Sequence, residues 1–392
     1  MNALSIVFYV LLPICIFFAG VILDKTIKNR KISRIIQIVL FSLTIASIIG
    51  FRSIYVGNDT ASYYSSYNSL KNLSLNEAFG LAHFEKGYIL VTFIFAKIGI
   101  PFIVFNFLVS LFLSFFLTLA CFLLSKYPAL SISIYICSGC FTLNMSSVRQ
   151  TLAMAICFCS ITILALLKNK HYLLKIIPLL IWAISIFIHK SSGLFIIAFL
   201  CMLIKPKKWT SILYFAISSL LIILFLPSLS TQFLFSNMKA TETYSFFPPN
   251  ASLSFSGTAL MLYLLVILYF IVSVNNKFVF DLSLQKVKFF NKICDVSVVN
   301  ESKYFNDQII FGMVCFEYLM YLGEQSISLL ARGGLYGGLG LCILIPNLIN
   351  KISLKQKTNF IFLIMILLFF VAYFVFTSLK DNYLGLIPYR IF

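Results

Sequence analysis

Charge is what this chain has least of. Only 11% of its 392 residues are Asp, Glu, Lys or Arg, under half the share found in an ordinary soluble domain. With a mean hydropathy of +1.00, no water-facing surface can be assembled, so globular-enzyme, DNA-binding and disordered readings are excluded. Acid is scarcest: 12 Asp and Glu stand against 30 Lys and Arg, a formal charge of +18. No basic n-region precedes the first apolar run and no small-residue cleavage site follows it, so that run is expected to stay as a span and not as a removable signal peptide. Internal repeats are missing too, with no half-to-half symmetry of broken helices such as many transporters show. No cysteine falls in a long outer loop, and disulfides are not expected. The Cys137-Ser138-Gly139-Cys140 spacing reads as packing within an apolar run.

Apolar length is what the chain has in abundance. At 61% hydrophobic, and with roughly 20 residues per crossing, it has room for about 12 transmembrane helices. Runs bounded by basic breaks place them at 4–22, 36–51, 101–125, 129–146, 149–167, 173–189, 191–204, 209–226, 257–274, 304–322, 333–349 and 359–378. The connector 24–34 holds Lys25, Lys28, Arg30, Lys31 and Arg34, which makes it cytoplasmic under the positive-inside rule and puts the N-terminus outside. Residues 88–99 break the pattern. They make about 18 Å of helix against a hydrocarbon core of about 30 Å, so they are read as a re-entrant or interfacial half-helix. That assignment leaves about two thirds of the basic residues on the cytoplasmic side, and topology then accounts for the excess charge without nucleic acid. The expected organisation is an all-α polytopic membrane domain over 1–392, with outer loops at 51–87 and 227–256 and a cytoplasmic loop at 275–303.

Polar residues that orientation does not require gather on the outer side. Arg52 ends the second span and leads into Val56-Gly57-Asn58-Asp59-Thr60 and Tyr63, and Glu85-Lys86-Gly87-Tyr88 closes that loop. Arg149-Gln150 opens the fifth span, and His189-Lys190-Ser191 turns between the sixth and seventh. Glu324, Gln325, Arg332 and Tyr336 surround the start of the eleventh, and Pro388-Tyr389-Arg390 lie in the tail. Plain readings exist: Arg52 or Arg390 snorkelling to lipid phosphate, His189 packed and hydrogen-bonded, Asp59 in a turn, the tyrosines in an aromatic belt. Arg149 resists such a reading. Only Ser147 and Val148 separate the flanking spans, so its guanidinium lies near hydrocarbon, where a cation is costly without an anion. Arginine forks bind phosphate bidentately. Several converging on an outer cavity would neutralise a diphosphate, while carboxylates and a histidine serve as base or hold a sugar hydroxyl.

A set of short motifs runs through nearly the whole chain in a fixed order. It begins with Arg52 and Val56-Gly57-x-Asp59-Thr60-x-x-Tyr63, then Glu85-x-Gly87-Tyr88, then Arg149-Gln150 before Leu152-Ala153. His189-x-Ser191-Ser192, Arg332-x-x-x-Tyr336 ahead of Ile343-Leu344-Ile345-Pro346, and a late Pro388-Tyr389 complete it. In these residues the sequence resembles the EpsG-type branch of the Wzy polysaccharide polymerases, and it departs from them at Arg332-Gly333-Gly334, which is richer in glycine. The resemblance implies a GT-C-like, metal-independent glycosyltransferase, without cofactor, in the bacterial inner membrane and facing the periplasm. It would join repeat units carried on undecaprenyl diphosphate, donor and acceptor both lipid-linked, beside membrane lipid and a Wzz-like chain-length regulator. A glycosyl diphosphate already carries a good leaving group, so the enzyme need supply mainly positioning and anion stabilisation.

On that basis Arg149 and Arg332 are expected at the diphosphate, then Arg52 and Arg390, with Gln150 and Tyr336 beside the substrate. Glu85, Asp59 and His189 are the candidate bases, with the choice among them open. Tyr63 and Tyr88 offer ring faces to sugars, and the loop 227–256 lids the cavity or touches acceptor glycan. Two other classes predict different features. A lipid-linked oligosaccharide flippase or transporter would show charge near the bilayer midplane and repeat symmetry; here Glu317 is the clear mid-span acid and reads as a helix–helix hydrogen bond. An O-antigen ligase would show a larger outer loop late in the chain.

Overall fold

Apolar runs become helices because a backbone in hydrocarbon must satisfy its own N–H and C=O groups. The computed structural model describes residues 3–80, 84–167, 170–203, 302–323, 329–351, 356–380, 382 and 384–392. Among the described residues all regular structure is helical, apart from an isolated antiparallel bridge between Arg52 and Ile391. In chain order the helices are α1 (Ala3–Thr26), α2 (Arg30–Gly50), α3 (Thr60–Ser69), α4 (Leu75–Phe79), α5 (Lys86–Lys97), α6 (Phe102–Leu124), α7 (Pro128–Ile136) and α8 (Gly139–Asn144). Then come α9 (Val148–Leu166), α10 (Ile176–Ile188), α11 (Ile196–Cys201), α12 (Ser302–Gly323), α13 (Leu329–Gly334), α14 (Gly338–Lys351) and α15 (Gln356–Phe374). Among the described residues, five stretches are long and apolar enough to cross a membrane: α1, α2, α6, α9 and Phe360–Leu379. The chain is an α-helical multi-pass membrane protein.

Several of the other expected crossings are divided. The run at 129–146 is two short helices, α7 and α8, parted at Cys137 and Ser138, where Ser138 Oγ donates to the Tyr135 carbonyl (2.6 Å). The runs at 173–189 and 191–204 each begin as a 3-10 turn, Tyr172–Lys175 and Lys190–Phe195, and the run at 333–349 is interrupted between α13 and α14. Serine and glycine inside an apolar run give the backbone local alternatives to the helix that hydropathy does not register. The half-helix expected at 88–99 is α5, opening two residues earlier and ending before Gly99 at φ 84. The expected spans at 209–226 and 257–274, the loop 227–256, the loop 275–303 as far as residue 301, and Glu324 with Gln325 lie outside the described residues; residues 302–303 already belong to α12.

The chain divides into two compact units: Met1–Gly193 with Ile345–Phe392, and Leu194–Leu344. The first is held by small polar side chains, the usual adhesive between membrane helices. Between α2 and α6, the Ser42 and Thr118 hydroxyls share a hydrogen bond (2.6 Å), Ser114 Oγ donates to the Ser42 carbonyl (2.8 Å), and Asn106 Nδ2 donates to the Gly50 carbonyl (2.9 Å). Ser133 Oγ ties α7 to the Pro13 carbonyl of α1 (2.7 Å), and Ser160 Oγ ties α9 to the Pro178 carbonyl of α10 (2.6 Å). In the second unit, α12 lies so close to its neighbours that a Cβ on Gly312 would fall 2.3 Å from Met202 Cγ. Glu317 is buried there with its Oε2 lacking a hydrogen-bond partner among the described residues, so that oxygen makes no helix–helix bond of the kind expected.

Candidate active site

The segment after α2 folds back onto the helix ends. Residues 60–69 and 75–79 form α3 and α4, the latter started by a reciprocal capping box between Ser74 and Glu77. Glu85 then precedes α5 with extended backbone. Gly87, in the first turn of α5, lies against the end of α10: a Cβ there would sit 2.5 Å from the Phe187 carbonyl oxygen. Any larger residue would force the two helix ends apart, and it is their approach that carries Glu85 to His189.

His189 follows α10 with extended backbone, its N–H donating to the Ser185 carbonyl (2.9 Å). The turn beyond is pinned. Trp182 Nε1 donates to the Ser192 carbonyl (2.9 Å), Ser185 Oγ donates to Ser192 Oγ (2.8 Å), and Ser192 Oγ donates to the His189 carbonyl (2.8 Å). Glu85 is the hub of the site. Its Oε1 lies 3.1 Å from His189 Nδ1 and accepts the Lys190 backbone N–H at 3.1 Å, and its Oε2 lies 2.6 Å from Arg149 Nη1. Arg149, in the first turn of α9, also lies over the Phe84 ring, 5.2 Å from its centroid, a cation–π arrangement.

Burial works against an ionised Glu85, but the His189 hydrogen bond, the Arg149 charge and the Lys190 N–H outweigh it and hold the carboxyl down at about 2. Glu85 is therefore an anion at neutral pH and a poor proton acceptor. Beside it stand the Arg149 guanidinium and the positive end of the α9 dipole.

Tyr63 completes the cluster. Its hydroxyl lies 3.1 Å from Ser147 Oγ, its ring stacks on Phe84 (5.5 Å between centroids) and meets Tyr88 edge-on (5.8 Å). One face of the Tyr63 ring is thus covered by Phe84. Asp59 is exposed ahead of α3, its N–H on Ser146 Oγ (3.4 Å), within electrostatic reach of Tyr63. Gln150 is buried beside Arg149. Glu85, His189, Arg149, Tyr63, Tyr88 and, at the margin, Asp59 are therefore brought together. Phe84 and the Lys190 amide belong to the site without having been anticipated. An aromatic directly before the acid was the available signal for Phe84; a backbone donor leaves no mark in a sequence.

Arg52 is engaged internally. It is 1% exposed and donates to the Ile49 carbonyl and to Thr60 Oγ1, at the end of α2 where the helix dipole favours a cation. Arg390 is exposed and takes part through its backbone, its carbonyl accepting the Ser53 N–H (2.8 Å). Arg332, exposed in the last turn of α13, and Tyr336, buried in the turn before α14, belong to the second unit.

The EpsG family model matches residues 35–391. The chain belongs to the EpsG family. Members are Wzy-like polymerases, so a membrane polysaccharide-polymerase function is supported for this EpsG-family protein at the level of class. No curated protein and no solved structure matches it.

Proposed function

We propose that this EpsG-family protein polymerises a surface polysaccharide, such as O-antigen, at the periplasmic face of the bacterial inner membrane, with Glu85 at the hub of its catalytic centre. The observation that carries the reading is one carboxylate engaging an arginine at 2.6 Å and an imidazole at 3.1 Å. In this arrangement Glu85 positions and His189 acts as base. With Nδ1–H donated to Glu85, the Nε2 of His189 is left as the proton acceptor. A hydroxyl at the non-reducing end of the lipid-linked acceptor unit attacks the anomeric carbon of the donor glycan. The bond from that carbon to the undecaprenyl diphosphate oxygen breaks, its electron pair leaves with the diphosphate, and the hydroxyl proton passes to His189. Arg149 receives the charge that develops on the leaving group, the kind of stabilisation that dominates many transfer reactions. A single displacement inverts the anomeric centre. Arg332, with Tyr336, is proposed as a further cation site for lipid-linked diphosphate, and a Wzz-like regulator as the partner that sets chain length.

A flippase moves its cargo without a bond-breaking step, and transporter proton relays lie within the transmembrane segments, whereas Glu85 and His189 stand at helix ends. The test is deletion of the gene followed by complementation, read on the surface-glycan ladder. Loss of the ladder with one repeat unit retained, restored by the wild-type chain and Asp59→Asn but not by His189→Ala, supports the assignment. Disappearance of all repeat units would point instead to a flippase or assembly enzyme, and polymer accumulating on the carrier would point to a ligase.

A further inference from the structure

We infer that Arg52 is a positioning residue for Arg149, acting through Thr60 and the start of α3 beneath a strap formed by residues 384–392; the inference rests on the polymerase reading. Arg52 is a buried cation. Among the described residues no carboxylate pairs with it, and its Nε has no hydrogen-bond partner. A sealed charge with so little compensation is costly. What holds it is the end of α2, whose dipole favours a cation, with the Ile49 carbonyl and Thr60 Oγ1 (3.4 Å) as acceptors. A planar guanidinium fork can reach two acceptors at once, where an ammonium is a point charge. Arg52 therefore bridges the last turn of α2 to the first residue of α3.

The strap fixes one side of this bridge. On either side of Arg52 the Phe392 N–H donates to the Phe51 carbonyl (2.9 Å) and the Ser53 N–H to the Arg390 carbonyl (2.8 Å). Further along, the Gly57 and Asn58 N–H groups donate to the Gly385 and Leu384 carbonyls (2.9 and 3.1 Å). The Tyr389 hydroxyl donates to the Ile48 carbonyl (3.1 Å), and the Asn382 side chain engages both the N–H and the carbonyl of Ile387 (2.9 and 2.7 Å). The segment 51–58 is thus held to the strap at both of its ends.

The residues that follow press on the connector that leads to Arg149. Gly57 has φ 87, and a Cβ on it would fall 2.0 Å from the Met145 carbonyl oxygen. The Asp59 N–H donates to Ser146 Oγ (3.4 Å), and the Tyr63 hydroxyl bonds with Ser147 Oγ (3.1 Å). Three successive residues, Met145, Ser146 and Ser147, are therefore met by the stretch that Thr60 anchors. Ser147 precedes α9, and Arg149 stands in its first turn, 2.6 Å from Glu85. A slip at the start of α3 moves Asp59 and Tyr63 together and removes support from that end of α9. Arg149 is proposed to act on the leaving group as charge develops, so the slip should lower kcat and leave KM nearly unchanged.

The test is polymerisation of lipid-linked repeat units by the full-length chain in proteoliposomes, with kcat and KM measured separately and folding followed by thermal unfolding. Thr60→Val keeps the shape of the side chain and removes the hydroxyl; its kcat should fall by roughly tenfold with KM little changed, the range expected of a small misplacement. Thr60→Ser restores the hydroxyl and should restore the rate. Arg52→Lys keeps the charge without the fork and should match Thr60→Val. Combining Thr60→Val with Arg149→Lys should cost no more than Arg149→Lys alone, because residues that act as a unit are not additive. A native kcat in Thr60→Val, losses that multiply in the double variant, or a raised KM at unchanged kcat would each overturn the positioning role and leave the polymerase reading standing. Failure of both Thr60→Val and Arg52→Lys to fold would make the pair purely structural and overturn it too. A native chain that joins no repeat units overturns both readings.

Discussion

Two arginines of the same type and similar sequence setting, each at a helix end beside polar residues, take opposite fates. Arg52 closes on a carbonyl and a hydroxyl and is sealed from solvent, while Arg149 keeps part of its surface exposed and faces a carboxylate and a ring. Arg149 was legible because a cation between two spans demands an anion; its partner was not, since Glu85 is 64 residues away and His189 a further 104 from Glu85, and no local pattern links them. Arg149→Lys keeps the charge and loses the planar fork, so polymerisation in a reconstituted assay should fall by about 10²-fold, the usual loss for one transition-state anion donor; near-native rate would remove Arg149 from the mechanism. Glu85 gives a pH prediction. Its folded-state carboxyl sits at about 2, below the roughly 4.3 of an unfolded Glu, so its contribution is complete above about pH 4.3 and is lost as pH falls toward 2. Glu85→Gln should lower the melting temperature at neutral pH and flatten the acid limb between pH 4 and pH 2, measured by thermal unfolding in detergent.

At the scale of elements, the long spans were readable because nothing interrupts them: α1, α2, α6 and α9 agree with the apolar runs at 4–22, 36–51, 101–125 and 149–167 to within a few residues, except where α2 starts earlier through its basic first turn. The short helices were not, because Cys137, Ser138 and Gly139 leave a run apolar on average while ending α7 and starting α8. α5 was recognised as too short to cross, yet its purpose was hidden in Gly87, whose value lies in a close approach to α10 and not in any chemistry of its own. Gly87→Val places carbon where only 2.5 Å separates a Cβ from the Phe187 carbonyl oxygen. The α5 and α10 ends must then part and the Glu85–His189 bond must lengthen. Activity should fall by roughly ten to a hundredfold, as misplacement of about 1 Å does, while far-ultraviolet circular dichroism stays native. A fully active variant would show that the approach is not what aligns the pair.

For the first unit as a whole, both ends of the chain and the site share one end of the helices. Tyr9 of α1 bonds the Leu386 carbonyl (3.3 Å), the Tyr389 hydroxyl bonds the Ile48 carbonyl (3.1 Å), and the Gly57 N–H donates to the Gly385 carbonyl (2.9 Å). The basic connector around Lys28 lies at the other end of α1 and α2, both of spanning length. Since Ser146, ahead of α9, accepts the Asp59 N–H, and Arg149 reaches Glu85, the Glu85 cluster sits at the opposite end of these helices from Lys28. Positive charge near a span end fixes the cytoplasmic side, so the cluster should face outward. Single cysteines at Ser65 and Lys28, both exposed, convert this into a measurement. A membrane-impermeant maleimide on intact spheroplasts should label Ser65→Cys and spare Lys28→Cys until the membrane is broken. Labelling of both from outside would mean that α2 does not cross, and labelling in the reverse order would put the Glu85 hub in the cytoplasm, out of reach of an outward-facing polymerase's substrate.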